Sequence, residues 1–124
     1  MAAPASRSQR WSLAGKTTIV TGGTKGIGRA IVEELAGFGV RNAGAAGGDG
    51  EITGSVCDVS ARGDREALVA ATRKVIDGRL DILVNNVGQM LFAAAADTSP
   101  TDYARIMATN LESSFHLSQL LAPK

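Results

Sequence analysis

The sequence is poor in the residues that build disulfides and metal sites. Among its 124 residues it has one cysteine, Cys57, and one histidine, His116. A single cysteine cannot form an intramolecular disulfide, and one cysteine with one histidine does not make a zinc-ligand set. We therefore expect no bound metal and a reducing compartment, the cytoplasm.

An excess of charge of one sign and a long apolar stretch are also missing. Thirteen Lys and Arg stand against twelve Asp and Glu, for a formal net charge of +1, so no global field attracts nucleic acid or a membrane surface. The longest uncharged run, residues 82–96, contains Asn and Gln and is shorter than the roughly 20 apolar residues that span a bilayer. We expect neither nucleic acid nor a membrane as a partner.

Hydrophobic periodicity predicts alternating strands and helices. Aromatic residues are only 4% of the chain, so aliphatic residues carry this signal. The β-branched run at 16–21 predicts a buried strand, and the apolar spacing from Ile27 to Phe38 predicts a helix at 26–38 with one apolar stripe. The glycine-rich residues 42–50 predict a loop. The remaining predicted elements are strands at 51–58 and 80–85, the latter fully buried, and helices at 62–76, capped by Ser60, and 100–121.

The order of these elements places the chain in the α/β class. Strands that alternate with helices favour a parallel sheet with flanking helices. The length fits a single domain, which we place at residues 13–124. Residues 1–12 lack an apolar pattern and are predicted to be a disordered N-terminal tail.

A glycine motif follows the first predicted strand. Residues 21–28 read TGGTKGIG, with glycines at positions 22, 26 and 28 and a lysine, Lys25, inside the loop. Such glycines allow a sharp turn and a close ligand approach, and the next helix points its N-terminal amides toward the turn. The motif therefore predicts a phosphate site. The alternative is a glycine turn needed only for packing.

Further marks along the chain resemble those of the short-chain dehydrogenase/reductase family. They are the glycine motif, Asp58-Val59 after the next strand, NNVG at 85–88 after the third, and Asn110 in the last helix. The amino-acid sequence around these motifs is similar to that of the plant tropinone reductase-like branch. The resemblance covers residues 13–41 and 52–122.

This resemblance implies a Rossmann-like fold and hydride transfer between NADP(H) and a small ketone or secondary alcohol. Lys25 would meet the ribose 2′-phosphate, which favours NADP(H) over NAD(H), and Asp58 would hydrogen-bond the adenine amino group. Asn110, the one catalytic position carried over, would support a proton-relay water by kinking its helix. The implied cofactor-binding residues are Gly22, Thr24, Lys25, Gly26, Ile27, Gly28, Asp58, Val59, Asn85, Asn86 and Gly88. The alternatives are a solvated lysine, an aspartate that caps the next helix, and a buried asparagine satisfied by backbone.

The sequence departs from the family pattern in two places. Where the family has a second strand and helix, only the loop 42–50 is expected, and Asp49 within it receives little weight as a ribose ligand. With that βα unit missing, we expect residues 51–57 to lie directly beside residues 16–21. The alternative keeps the family register and leaves that slot empty.

The second departure concerns the catalytic groups. Residues 1–124 do not include the family's Ser or its Tyr-x-x-x-Lys, since the only tyrosine, Tyr103, is followed four places later by Met107. The fold is therefore expected to be incomplete, without its C-terminal half. Three hypotheses follow: a working oxidoreductase, a nucleotide-binding module without chemistry, and a truncated gene product without activity.

Three remaining features receive structural interpretations. Glu112 and His116 are predicted to form an ion pair on a helix surface. Cys57 is predicted to be a small buried hydrophobe. The last helix, whose family counterpart lies at a dimer interface, is a candidate surface for homo-oligomer formation.

Overall fold

A computed structural model of the chain describes residues 3–43, 52–76 and 79–123. The elements, in chain order, are α1 (Arg7–Arg10), β1 (Thr17–Val20), α2 (Gly26–Gly37), β2 (Arg41–Ala43), α3 (Arg62–Val75), β3 (Ile82–Val84), a 3-10 turn (Ala95–Asp97), α4 (Pro100–Met107), a π-helical segment (Ala108–Glu112) and α5 (Ser113–Leu121). None of the helices in these ranges is both long and apolar enough to cross a bilayer.

Strand β1 is the centre of a three-stranded parallel sheet with the order β2-β1-β3. Thr18 pairs with Asn42 on one side and with Ile82 on the other. All four residues of β1 are buried, as expected for a β-branched strand covered on both faces. The predicted first strand and the parallel sheet are therefore confirmed.

Helices cover both faces of this sheet. On one face Val20 packs with Val32 of α2, and Ile31 and Leu35 border that cluster. On the other face the core cluster joins the turn before α3, helix α3 and helix α5. Its buried members are Val59, Leu68, Val69 and Leu117. The α/β class with flanking helices is therefore confirmed.

The slot next to β1 is filled differently from the sequence prediction. The described residues 52–57 form no ladder with β1, because β2, residues 41–43, pairs with it there. Gly39 turns the chain with φ 93, so a short connection returns it from α2 to the adjacent slot, as in a parallel crossover. Asn42 and Ala43 therefore belong to a strand and not to the predicted loop. The rest of that loop, residues 44–50, and Asp49 lie outside the described residues.

The predicted strand 51–58 is also wrong over its described part. Thr53 is a single bridging residue, and the chain from 54 to 58 has no strand structure. Val56 is fully exposed, so no sheet or helix covers its side chain. No helix occurs in the described residues between 41 and 61.

Burial departs from the predicted pattern in two further elements. Ile27, expected on the apolar stripe of α2, is 77% exposed, because the first turn of α2 projects beyond the sheet. Strand β3 is half-buried along its length and not fully buried, since β1 is its only partner in the described sheet.

Within the predicted disordered tail, α1 forms one helical turn. Ser6 caps it by accepting a hydrogen bond from the Gln9 amide. The Arg7 guanidinium lies 3.5 Å from a Glu34 carboxylate oxygen and stacks over the Phe38 ring at 5.8 Å. Arg7 therefore contacts Glu34 of α2 and Phe38 at its end, while the tail at 1–12 and the domain start at residue 13 stay predictions.

Candidate functional site

The glycine motif forms a tight turn at the carboxyl end of β1. Gly22 and Gly26 have φ 66 and φ 60, values in the left-handed region that favours glycine. Gly28 has an ordinary helical backbone, but a Cβ there would overlap the Gly22 carbonyl oxygen and the Asn86 side chain. At each of these three positions the backbone geometry or the lack of space requires glycine. The sequence predicted such a tight turn with close backbone approach.

The N-terminal end of α2 is uncapped and open. Its N-cap residue, Lys25, is extended and makes no side-chain capping bond with a described residue, and the first turn has no acid. The first amides of an α-helix have no intrahelical acceptor. Because Thr24, Lys25 and Ile27 are exposed around them, this end of α2 is open and positively polarised, which suits an anion.

Asn86, which follows β3, holds the glycine turn through hydrogen bonds to its backbone. Its Nδ2 donates to the Thr21 carbonyl at 3.0 Å and to the Gly22 carbonyl at 3.2 Å. The Thr21 hydroxyl in turn accepts the Asn86 backbone amide at 3.1 Å. The carboxyl ends of β1 and β3 are thus locked together. Asn86 shapes the loop with its side chain, and sequence reasoning missed Thr21, whose signal is a hydroxyl at a strand end.

The Asp58–Val59 turn lies on the other side of the glycine turn. A small cavity of about 50 Å³ is lined by residues of both, including Thr21, Gly22, Cys57 and Val59. The structure therefore brings the glycine loop and this turn together, as the motif order implied. The Cys57 thiol is half-buried against the core, and burial, followed by the nearby aspartates, raises its pKa. Cys57 therefore borders the core as a half-buried residue outside any strand, and not as the fully buried one predicted.

Local hydrogen bonds fix the conformation of Asp58. Its Oδ1 accepts from the Ser60 hydroxyl at 2.6 Å and from the Ser60 amide at 3.0 Å. These bonds hold the pKa of the Asp58 carboxyl below its usual value, so it is a carboxylate at neutral pH. The Asp58 amide donates to Asp64 Oδ2 at 2.8 Å. The prediction that Ser60 caps α3 is wrong, because Ala61 is the N-cap residue.

A buried arginine, Arg65, joins this turn to the last helix. Its side chain is 0% exposed, and it donates from Nη1 to the Val59 carbonyl at 2.7 Å. Nε donates to His116 Nδ1 and Nη2 to Glu112 Oε1, both at 2.8 Å. The predicted surface pair of Glu112 and His116 is therefore wrong, since His116 is 3% exposed and Arg65 stands between the two.

The environment of His116 keeps its ring neutral. Burial, and then the positive charges of Arg62 and Arg65, lower its pKa. Because Nδ1 accepts from Arg65, the proton of the neutral ring is on Nε2, which is buried with no partner among the described residues. The sequence signal for this network was a charged residue on the apolar stripe of α3.

Asn110 lies in the π-helical segment between α4 and α5, so the expected helix distortion is present. Its Nδ2 donates to the Gln89 carbonyl and its Oδ1 accepts the Gln89 amide, both at 2.7 Å. Arg105 holds the Gln89 side chain at 2.8 Å. Asn110 is exposed and not buried, and it is satisfied by backbone, one of the alternatives left open. Asn85 and Gly88 lie exposed between β3 and this contact.

Comparisons with known proteins agree with this arrangement. Residues 16–124 match a family described as short chain dehydrogenase. Two tropinone reductase homologs of Arabidopsis thaliana are each 46% identical to the chain, over 93% and 98% of its length and 49% and 51% of theirs. The chain thus spans about half the length of the curated relatives it matches.

Solved structures show the same half-length similarity. A short-chain dehydrogenase/reductase from Serratia marcescens is 32% identical with a TM-score of 0.81, over 89% of this chain and 52% of that one. An NADP complex of RhlG from Pseudomonas aeruginosa is 31% identical with a TM-score of 0.79, over 91% of this chain and 49% of that one.

Proposed function

The chain belongs to the short chain dehydrogenase family, and we propose that it supplies the NADP(H)-binding part of an oxidoreductase that acts on a ketone or secondary alcohol. The observation that carries the proposal is the open, uncapped N-terminus of α2 behind two left-handed glycines. When bound, NADP(H) supplies the hydride for such a reaction.

The residues present fit this cofactor. Apart from its chain neighbours and its own helix backbone, no atom of the described residues lies within 4 Å of where a Cβ would stand at Gly26, so a phosphate oxygen can approach the backbone there. The opposite faces of the loop are filled, since Cβ atoms at Gly22 and Gly28 would meet Asn86. A loop braced on one side and open on the other is pre-organised for an anion.

Each part of the chain has a proposed role. The loop amides at Gly22, Gly26 and Gly28 hold the pyrophosphate, flanked by Thr24 and Ile27. The Asp58 carboxylate, whose Oδ1 is taken by Ser60, offers Oδ2 to the adenine amino group, with Val59 beside it. The roles proposed for the end of β3 are lining of the ribose side by Asn85 and Gly88, and bracing of the loop by Asn86.

Lys25 is the proposed selector for NADP(H). Its ammonium makes no ion pair with a described residue, whereas Arg29, one turn later, is paired with Glu33 at 2.9 Å. An unpaired cation beside the phosphate site is available for the ribose 2′-phosphate.

Binding of NADPH and NADH to the wild type, Lys25→Glu and Lys74→Glu tests this role. Lys74 is an exposed lysine of α3 and serves as the matched charge control. We expect Lys25→Glu to weaken NADPH binding by about tenfold or more, as for a lost charge-assisted hydrogen bond, and to leave NADH binding unchanged. An unchanged preference in Lys25→Glu would overturn the assignment.

Catalysis is proposed to need groups outside residues 1–124. Hydride transfer to a carbonyl builds charge on its oxygen, which requires a placed proton donor. Asn110 is proposed to support a proton relay through its helix distortion, but it is not itself that donor. Purified polypeptide of these residues should therefore not oxidise NADPH with small ketones, and turnover that survives Asn110→Ala would contradict this. An inert fragment remains the alternative, which absence of NADPH binding would favour.

Self-association and location are part of the same proposal. Leu111 and Phe115, 59% and 67% exposed, support a homo-oligomer through the last helix, which sedimentation of the wild type and Phe115→Ser tests. A cytoplasmic location rests on the single cysteine.

A further inference from the structure

We propose that Arg65 is a positioning residue for the adenine end of the cofactor site, holding the Asp58–Val59 turn against the last helix. The inference rests on the proposed function, in which this turn meets the adenine. Arg65 itself touches no ligand in this account. It acts through the Val59 carbonyl, which accepts from Nη1 at 2.7 Å.

The guanidinium connects three separate parts of the chain. Besides Val59, it contacts Glu112 in the π-helical segment and His116 in α5, each at 2.8 Å. These partners lie 47 and 51 residues away in sequence. The guanidinium is planar and its donors have fixed directions. The three acceptors that it binds can therefore lie only at set positions around it. The Val59 peptide is therefore set by the last helix.

The other polar contacts of the turn are local. Asp58 is held by Ser60 in the turn and by Asp64 in the first turn of α3, and its carboxylate is exposed. The chain before it, residues 54–58, has no strand structure. The Val59 side chain packs with Leu117 of α5 without a fixed direction, so Arg65 is the directional contact, through its hydrogen bond to the Val59 carbonyl, that sets how the turn sits against the last helix.

The burial of a cation with three engaged donors also indicates that Arg65 fixes one conformation of the turn more than it stabilises the fold. Burying a charge is costly, and well-packed apolar residues often serve stability as well as a buried ion pair does. Glu112, the partner of opposite charge, is half-exposed, so the pair gains little from a dry environment. Placement of the Val59 carbonyl is a role that an apolar side chain could not fill.

The test separates the adenine end from the nicotinamide end of the cofactor. Binding of 2′,5′-ADP and of reduced nicotinamide mononucleotide is measured for the wild type, Arg65→Lys, Glu112→Gln and Arg62→Met. Arg62 lies on the same helix in an exposed pair with Glu66 and is the matched control. Lysine keeps the charge of Arg65 but cannot reach three coplanar acceptors.

We expect Arg65→Lys to weaken 2′,5′-ADP binding by about tenfold, as for a lost hydrogen bond to a charged group, with mononucleotide binding unchanged. Glu112→Gln should show a smaller loss of the same kind, and Arg62→Met none. If Arg65→Lys does not fold, Glu112→Gln decides, because its side chain is half-exposed. Equal losses for both ligands, or no loss, would overturn the proposal.

Amide hydrogen exchange tests the inference without any ligand. In the wild type the Ser60 and Ala61 amides donate to Asp58, and their exchange should accelerate in Arg65→Lys while that of α2 stays the same. Absence of 2′,5′-ADP binding by the wild type would contradict the proposed function alone. Unchanged exchange at residues 58–61 would contradict the positioning role alone.

Discussion

Replacement of Gly28 by alanine should destabilise the chain, although the same change in a helix ordinarily does the opposite. Gly28 lies in the first turn of α2, and a Cβ there would overlap the Gly22 carbonyl oxygen and Asn86 Nδ2. One of these contacts is backbone, so no side-chain rotation relieves both. The first turn of α2 must move apart from the glycine turn and Asn86, which displaces the Gly22 carbonyl and the Asn86 amide from their present positions.

The expected loss follows from the contacts that this movement breaks. Asn86 donates to the Thr21 and Gly22 carbonyls, and each of these hydrogen bonds contributes about 1 kcal/mol. Overpacking adds about 1–3 kcal/mol, while alanine gains about 1 kcal/mol over glycine in a helix. The free energy of unfolding should therefore fall by about 2–4 kcal/mol in total.

Gly37→Ala is the matched control, at the other end of α2. A Cβ at that position meets nothing within 4 Å in the described part of the chain beyond its neighbours and its own helix, so alanine should raise the free energy of unfolding by up to about 1 kcal/mol. Urea denaturation of the wild type, Gly28→Ala and Gly37→Ala measures all three. Equal stabilisation by the two substitutions would refute the close approach of the loop to α2.

Three further predictions concern the polar contacts around the site. Asn86→Asp replaces the donor that faces two carbonyls, and urea denaturation should show a loss of about 2 kcal/mol; wild-type stability would contradict the brace. Asn110→Asp keeps the acceptor for the Gln89 amide but loses the donor to the Gln89 carbonyl. Its loss of unfolding free energy should therefore be smaller than that of Asn110→Ala, and the reverse order would contradict the pairing of Asn110 with Gln89. Because the pKa of His116 is lowered from 6.5, the unfolded chain binds a proton there that the folded chain does not, so stability should fall as pH drops through 6.5 toward the folded value. Stability-pH curves of the wild type and His116→Gln check this, and an identical slope in both would contradict it.

The sequence predicted the parts of the fold that depend on local rules. Strand β1 is a β-branched run, and the turn after it is marked by glycines at 22, 26 and 28. Helix α3 carries a periodic stripe. In each of these places the residues that specify the structure are close together in sequence, so a pattern within a short window contains the information.

The parts that the sequence did not reveal depend on distant residues. Strand β2 has three residues, Arg41, Asn42 and Ala43, with no apolar alternation. Only its pairing with β1 makes it a strand. Arg65 lies on the apolar stripe of α3, but no pattern within the helix reveals its partners 47 and 51 residues away. Ile27 matches the helical stripe by spacing, but the first turn of α2 extends past the sheet that would cover it.

Titration of the chain with NADPH, followed by its backbone amide NMR signals, shows whether the glycine loop binds the cofactor. We expect saturable shifts at residues 22–28, with smaller ones at 58–59 and 85–88, and their disappearance in Gly28→Ala. Signals at 22–28 that stay unchanged at saturating NADPH, or shifts confined to other parts of the chain, would contradict binding through this loop.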